Sequence, residues 1–597
     1  MYENYFFFDI EVFKHNSMVV FKDYDGKTVK VFSSSLNGFG EYIDKGVDLE
    51  LGYKNLEEYV TGKTLVGYNN YYYDDRVMKM MMWCGNRSQD EKTTNLLLKN
   101  LNDKIINNKP LGWLKYVNDL PYTSLDCFKQ IDVSRPSLKK VEGNMGVSII
   151  ESNVPFHIDR PLNPGENLQT LKYCEYDVLN TVKIFKMRKD YYNSKFAVIN
   201  MMENEQYKEK AIKWNTTSIV AQLLKPKKRP PIHKLLPNSQ TLSYVNDDVR
   251  NMWSQLTETL DYKFKQKKII INEFANEIEF GWGGLHGAPK GFLIMENIKL
   301  ADVDSMYPSI LINLNGLGDR TKSYKEILDY RLMLKHQGKE DEQAPYKLIL
   351  NSTYGLLNNK YSQLNNPTLA YSICIHGQVA VYELARRLAE IGAKIININT
   401  DGVAYQYDGE DDELIKKEWE KEFNLNLDTD YFKKWIQKDV NNYIAITDNG
   451  KIKVKGGDVN KYHQNKFFSN NDIRITHKAL VDYLVYGIDV QDTIMKNLDN
   501  PRLFQYILQA GKTYKGVVTR KEPEKLLETK INRVFATRNG TEILKKRQDD
   551  GLVKFADTPN QMYLYNDDLS NMNNFKDIID KQWYYDLTIK NLKRWQV

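Results

Sequence analysis

Short apolar runs and helically spaced apolar positions take turns through the first third of the chain. YFFFDIEVF, residues 5–13, is apolar and aromatic except for two carboxylates, and reads as a buried strand. MVVFKDY and VKVF follow as strands, with Asp25 and Gly26 marking a hairpin between them. Leu171, Cys174, Val178, Leu179, Val182, Ile184 and Phe185 recur at helical spacing and predict an amphipathic helix. Residues 191–290 are punctuated by Lys and Pro, with KPKKRPP at 225–231 as an exposed joint. IKLADVDSMYPSILINL then reads as strand, turn and helix. YKEILDYRLMLK and YKLILNSTYGLLNN form a helical hairpin joined by the polar HQGKEDEQAP. AKIININTDGVAYQY predicts two strands bent at TDG, and YIAITDNGKIKVKGG a second hairpin turning at Asn449 and Gly450. From about residue 471 helices and loops mix, and no internal repeat is present.

A chain of 597 residues is too long for one core, so three to five domains or subdomains are expected. No run of eighteen apolar residues occurs, and the N-terminus lacks the basic flank of a signal peptide; a cytoplasmic protein without membrane contact is expected. Cys84, Cys127, Cys174 and Cys374 lie far apart and form no CxxC pair, which argues for ordinary buried thiols rather than disulfides or a zinc site. The net charge of +6 matters less than its distribution: residues 511–550 carry 11 Lys and Arg against 6 Asp and Glu. Local basic surfaces on a nearly balanced chain suit a polyanion track, and 40 tyrosines offer stacking faces for bases.

The chemistry concentrates in acidic signatures. Asp9 and Glu11 alternate on a strand and so point to one side. Asp302 ends an apolar strand, and Asp401 sits at the bend of a hairpin. Carboxylates paired in this way can hold divalent cations, and two such sites suggest phosphoryl-transfer chemistry in two places. Beside the second pair, a helix sets Lys347, Asn351 and Tyr354 on one face. Lys335 and Arg331 lie across the helical hairpin, which gives a cationic cluster fit for a triphosphate and an aromatic platform for a base.

DVDSMYPS resembles the first polymerase motif of family B DNA polymerases, D-x-x-S-[LM]-Y-P. KLILNSTYG matches K-x-x-x-N-S-x-Y-G, and NTDG resembles D-T-D-S. Ahead of these, Asp9 and Glu11, Asn70, Tyr73 and Asp74 in GYNNYYYDD, and Tyr173 and Asp177 in YCEYD resemble the three exonuclease motifs of proofreading polymerases. The resemblance spans roughly residues 5–460. It implies a multidomain α/β and α+β chain, with an RNase H-like 3′–5′ exonuclease domain followed by a right-hand palm, fingers and thumb polymerase. The corresponding spans are 1–190 for the exonuclease, 191–290 for an interdomain region, 291–320 and 361–470 for the palm, 321–360 for the fingers and 471–597 for the thumb.

Residue by residue, the resemblance implies that Asp302 and Asp401 bind metal, assisted by the Val303 carbonyl. Tyr307 stacks under the deoxyribose and excludes a 2′-hydroxyl. Lys335, Lys347 and Arg331 hold the triphosphate, and Asn351 and Tyr354 shape the base-pair pocket. Asp9, Glu11, Asp74 and Asp177 bind metal in the exonuclease site, and Tyr173 orients the attacking water. Mg²⁺ or Mn²⁺ is expected, two ions per site. Asn70 and Tyr73 would meet single-stranded DNA, as would Lys140 (or Lys139), which resembles a lysine of the protein-primed members. Gly283 and Gly284 resemble the Y-x-G-G linker, with the Tyr position on Gly281 and Phe280 or Trp282 as substitutes. Lys438 and Tyr443 resemble the K-x-Y motif with two extra residues between them. Lys451, Lys453 and Lys455 line one strand face as primer–template contacts.

Two departures stand out. Asn399 replaces the first Asp of D-T-D, removing a charge while Asp401 keeps the ligand position. Gly402 replaces the following Ser, a change expected to be chemically neutral. Only 45 positions separate Asp302 from Lys347, and 44 separate Gly355 from Asn399. That leaves no room for the long insertions of protein-primed relatives. Ordinary primer use by a monomer is expected, without a terminal protein, in a compact replicase of phage or mobile-element type. The alternatives are a protein-primed or primer-independent replicase and a nuclease with a degenerate polymerase domain.

Overall fold

A computed structural model describes residues 2–117, 119–128, 136–228, 247–251, 268–281, 283–463 and 473–596. The chain builds two large sheets, one near each active-site signature. The first holds β1 (Tyr5–Val12), β2 (Ser17–Lys22), β3 (Thr28–Ser33), β4 (Asp48–Leu51), β5 (Thr64–Gly67) and β6 (Thr123–Asp126). Its order is β4-β3-β2-β1-β5-β6, with β1, β2 and β3 antiparallel and β5 and β6 parallel to β1. The period of two decides which face each residue of β1 serves. Phe8, Ile10 and Val12 enter a core with Val77, Met78 and Leu98 of the helices Asp74–Asn86 and Glu91–Ile106. Phe7 points the other way, onto Leu171, Cys174 and Val178 of the helix Pro164–Met187. Asp9 and Glu11 share Phe7's side, so the strand's alternation carries both carboxylates to that helix. Asn163 and Glu166 fix where the helix begins by a reciprocal capping box.

Among the described residues the second sheet has nine antiparallel strands: β7 (Ile269–Glu273), β8 (Asn276–Gly281), β9 (Gly284–Ala288), β10 (Leu293–Val303), β11 (Lys394–Asn399), β12 (Gly402–Gln406), β13 (Leu427–Asp439), β14 (Asn442–Thr447) and β15 (Ile452–Lys455). Their order is β15-β14-β13-β10-β12-β11-β9-β8-β7. Residues 269–288, read from sequence as interdomain, are thus three of its strands. The β7–β8 turn gave no signal because Phe274 and Ala275 hold its two positive φ values, 54° and 57°, where Asn-Gly is the usual choice. The helix Pro367–Glu390 packs beneath the sheet, with Ile373, Val379 and Leu384 against Ile398 and Val403.

The helical hairpin lies over the end of β10 as Thr321–His336 and Glu340–Asn358. Its connection is shorter than expected. Glu340, Asp341 and Glu342 open the second helix, where the dipole favours acidic residues, and Gly338 turns the chain at φ +70°. The C-terminal region does not keep a core to itself. Leu480, Phe504 and Trp595 share one with Ile436, Ile444 and Ile452 of β13, β14 and β15. It also docks on the first sheet's neighbourhood through Arg533, which is fully buried. Arg533 donates to the Val147 carbonyl (2.6 Å), the Gly143 carbonyl (3.3 Å), the Asp567 carbonyl (2.6 Å) and Gln505 Oε1 (2.9 Å).

Of KPKKRPP, residues 225–228 are described and 229–231 lie outside the described residues, as does Trp282. No helix among the described residues is long and apolar enough to cross a membrane.

Two candidate active sites

In the first site, one oxygen each from Asp9 and Glu11 and the Cys174 sulfur lie within 4.8 Å of one another. The helix Pro164–Met187 supplies Cys174 and also Tyr173 and Asp177, while Asp74 opens its own helix just past the end of β5. Burial pushes Asp9 up to about 8, reinforced by Asp177. Glu11 and Asp74 are raised by burial and then by Asp9, and Asp177 by burial. Four crowded acids that resist ionisation form a site that a cation would relieve. Among the described residues Asp74 Oδ1 is buried without a hydrogen-bond partner, and the oxygen donors are of the kind Mg²⁺ and Mn²⁺ take. Asp9, Glu11, Asp74 and Asp177 therefore fit a divalent ion.

Lys139, not Lys140, belongs to this cluster. Its ammonium lies 2.5 Å from Asp177 Oδ1 and 3.4 Å from Glu142 Oε1, and 4.7 Å from the Tyr173 ring centroid. Burial opposes the Lys139 charge, yet Asp177 and Glu142 outweigh it and hold the group above its ordinary range. Lys140 turns to a different cleft of 620 Å³, shared with Asp458, Lys590 and Arg594. The geometry separates the two lysines because consecutive helix positions face about 100° apart. Asn70 also differs from expectation. It is fully buried and donates to Ser124 Oγ (2.8 Å) and Asp75 Oδ1 (3.3 Å), bracing the loop before Asp74 rather than offering a surface. Tyr73 is half-buried and donates to Asn102 Oδ1. Cys174 is one of four buried free thiols but sits among acids, a neighbourhood its sequence position did not signal.

The second site forms where β10 meets the β11–β12 hairpin. The Val303 amide donates to the Asp401 carbonyl at 2.7 Å, which clamps the hairpin turn to the end of β10. Asp302 pairs in register with Gly402, the residue after Asp401. Burial lifts Asp302 to about 7, with Asp401 next and Asp430 after it. Both carboxylates open on a 320 Å³ cleft that Arg331, Lys335, Lys347, Asn351 and Tyr307 also line. Tyr354 lies behind Tyr307, ring centroids 4.5 Å apart. The cleft thus brings together Asp302, Val303, Asp401 and five of the six residues expected to meet a nucleotide, with Tyr354 behind them, and its two carboxylates are of the kind that divalent cations take.

Gly402 is not neutral. A Cβ there would stand 2.8 Å from Asp302 Oδ1 and 3.0 Å from the Ala301 carbonyl, so any side chain displaces the acid. Gly284, at φ +142°, is equally constrained: a Cβ would meet Thr400 Oγ1 at 2.4 Å. Gly284 therefore packs under the Asp401 turn, whereas a Cβ on Gly283 would meet open space and only its carbonyl, accepting from Thr400 Oγ1 at 3.5 Å, reaches that turn. Asn399 uses its Oδ1 to accept from the Thr400 amide. Tyr443 stacks on Trp435 at 4.4 Å, and burial, then Asp302 and Asp401, push it up to about 12. Lys455 is half-buried; burial lowers it while Asp401 and Asp302 oppose that shift. Lys453 is paired with Asp430 (2.7 Å), so the face of Lys451, Lys453 and Lys455 does not present three free cations; Lys438, on β13, lies 3.9 Å from Asp458. Lys451 precedes β15 and is exposed.

The sequence reading missed Asp304, Asp428 and Asp430. The literal D-T-D tripeptide of the chain is Asp428 to Asp430, on β13, and Asp428 lies directly across from Asp302. Its alternation on a strand was the available signal.

No family model matches the chain. It is similar to DNA polymerase 2 of Aeropyrum pernix, 22% identical over 277 residues, covering 37% of this chain and 34% of the relative. The match thus spans about a third of the relative's length. Among solved structures it is similar to the family B DNA polymerase of Pyrobaculum calidifontis, with a TM-score of 0.41 and 12% identity over 99% of this chain and 77% of the other.

Proposed function

We propose that the chain is a family B-type DNA-directed DNA polymerase with a 3′–5′ proofreading exonuclease. The observation that carries the reading is the 320 Å³ cleft in which Asp302 and Asp401 face Lys335, Lys347 and Tyr307. A pair of carboxylates can hold the cations of nucleotidyl transfer, and the lysines can hold a triphosphate. Bound divalent ions would activate the primer hydroxyl and steady the leaving oxygen. The chain's own residues would position the nucleotide, with Tyr307 beneath the sugar. The likeness to DNA polymerase 2 of Aeropyrum pernix supports the same reading.

The exonuclease half rests on the strand order β3-β2-β1-β5-β6, which fits an RNase H-like sheet, and on the buried cluster of Asp9, Glu11, Asp74 and Asp177. Tyr173 and Lys139 would orient water and substrate there. The nine-stranded sheet would be the palm, the helical hairpin the fingers and the C-terminal region the thumb. The short spacings support use of an ordinary primer without a terminal protein, and the compact chain suits a phage or mobile-element replicase.

The test is extension of a labelled primer on a DNA template with dNTPs and Mg²⁺, beside degradation of a labelled single strand. Asp302→Asn or Asp401→Asn should abolish extension and spare degradation; Asp9→Ala with Glu11→Ala should do the reverse. A chain that degrades single strands yet adds no nucleotide with either Mg²⁺ or Mn²⁺ would falsify the polymerase reading.

A further inference from the structure

Two lysines face the cleft in different states. Lys347 is exposed and makes no ion pair among the described residues. Lys335 is engaged: its ammonium lies 3.3 Å from Asp304 Oδ1 and 3.2 Å from Asp428 Oδ2. Arg331 beside it donates to Ser305 Oγ at 2.7 Å and lies 3.6 Å from Asp304. Asp428 lies on β13 and Asp304 in the turn that follows β10, whereas Lys335 and Arg331 belong to the helix Thr321–His336, so these pairs tie the helix to the edge of the sheet. Asp304 is held in place because its amide donates to the Asn426 carbonyl at 2.8 Å. Ser305, a non-glycine residue at φ +53°, turns the chain so that its hydroxyl meets Arg331. Strained backbone of this kind persists where surrounding contacts over-determine it, and it clusters at working sites.

We infer that Asp304 and Asp428 are stand-ins for polyphosphate: they pair with Lys335 and compete with the phosphates of a nucleoside triphosphate for it. The inference rests on the nucleotide-binding reading of the cleft. A polyphosphate that bridges Lys347 and Lys335 must displace the carboxylates, so part of its binding free energy is offset by breaking these pairs. The same competition acts after transfer. The carboxylates return to Lys335 and help to expel pyrophosphate, while between turnovers they keep the helix seated on the sheet. No bond is made or broken in this exchange. Asp428 is therefore a positioning residue that sets nucleotide affinity and product release together.

Asp428→Asn is the informative variant, because this side chain is 61% exposed and its loss leaves no buried void. Asp329→Asn, on the helix that carries Lys335 and paired among the described residues only with Lys325, is the control. Each protein is titrated with a deoxynucleoside triphosphate and with pyrophosphate in Mg²⁺ without primer, and assayed for the dNTP KM and for inhibition by pyrophosphate. An exposed pair is worth about two- to five-fold in affinity. Asp428→Asn should therefore tighten both ligands and lower both the KM and the inhibitory pyrophosphate concentration by about that factor. Asp329→Asn should change none of them. Unchanged or weaker binding in Asp428→Asn overturns the inference. If the wild-type chain extends no primer but Asp428→Asn still tightens both ligands, the competition stands and the polymerase reading falls. Wild-type protein that binds neither ligand removes both.

Discussion

Lys139 Nζ and Asp177 Oδ1 lie 2.5 Å apart, each side chain only 9% exposed, at the centre of a four-carboxylate cluster. Lys139 lowers the cost of ionising Asp177, Asp9 and Glu11. Lys139→Met leaves the acids uncompensated. Breaking a buried pair from one side costs about 3–5 kcal/mol. The variant should lose that much stability in denaturant unfolding without Mg²⁺, and degrade single strands at least about tenfold more slowly because Asp177 loses the partner that orients it. Primer extension should be retained. Lys140→Met, which faces the other cleft, is the comparison; equal loss of degradation in both would refute the assignment.

Gly402→Ala tests the close approach at the second site. Its methyl group would have to displace Asp302 Oδ1 from 2.8 Å. A misplacement near 1 Å costs on the order of a hundredfold in rate. Extension should fall by about that factor with single-strand degradation unchanged. Retention of full extension would mean that Asp302 can move without consequence.

Acidity and metal should be linked in a defined direction. Asp302 is pushed from 3.8 to about 7 in the fold, and Asp9 from 3.8 to about 8. Between the unfolded and folded values the native chain holds more protons than the unfolded one, so these groups make the metal-free protein less stable as the pH rises through that window. A divalent ion favours the ionised acids and removes the penalty. The increase in melting temperature on adding Mg²⁺ should therefore be larger at about pH 8 than at about pH 6. An increase that is the same at both, or larger in acid, contradicts the metal assignment.

Arg533 joins the C-terminal region to residues 143–147 through the Gly143 and Val147 carbonyls, while the Asp567 carbonyl and Gln505 hold it on its own side, and burial lowers its guanidinium to about 10. Arg533→Met would strand those acceptors. The expected loss is at least about 3 kcal/mol in chemical denaturation. Arg533→Lys should recover only part of it, since a single ammonium cannot reproduce the planar fork. A loss under about 1 kcal/mol would show that the docking does not depend on this residue.

Local pattern made much of this protein legible from its sequence. Alternation on YFFFDIEVF put Asp9 and Glu11 on one face, helical spacing brought Lys347 and Asn351 to one cleft with Tyr354 behind it, and the TDG bend set Asp401 at a turn. Periodicity and turn chemistry are properties of neighbours in sequence, so they survive without the fold. Tertiary structure decided the rest. It chose Lys139 over Lys140, buried Asn70, made Gly402 a steric requirement, and drew β7, β8 and β9 into the second sheet. It also set Asp304 and Asp428 against Lys335. Each of these depends on which strand or helix lies across from another, and that register is fixed by long-range packing that one segment's pattern does not contain. The sequence by itself determined which acids and cations the chain carries and on which local faces. Only the fold decided which of them meet, which are already paired, and which remain open to a ligand, because burial and opposing charge arise between elements far apart in the chain.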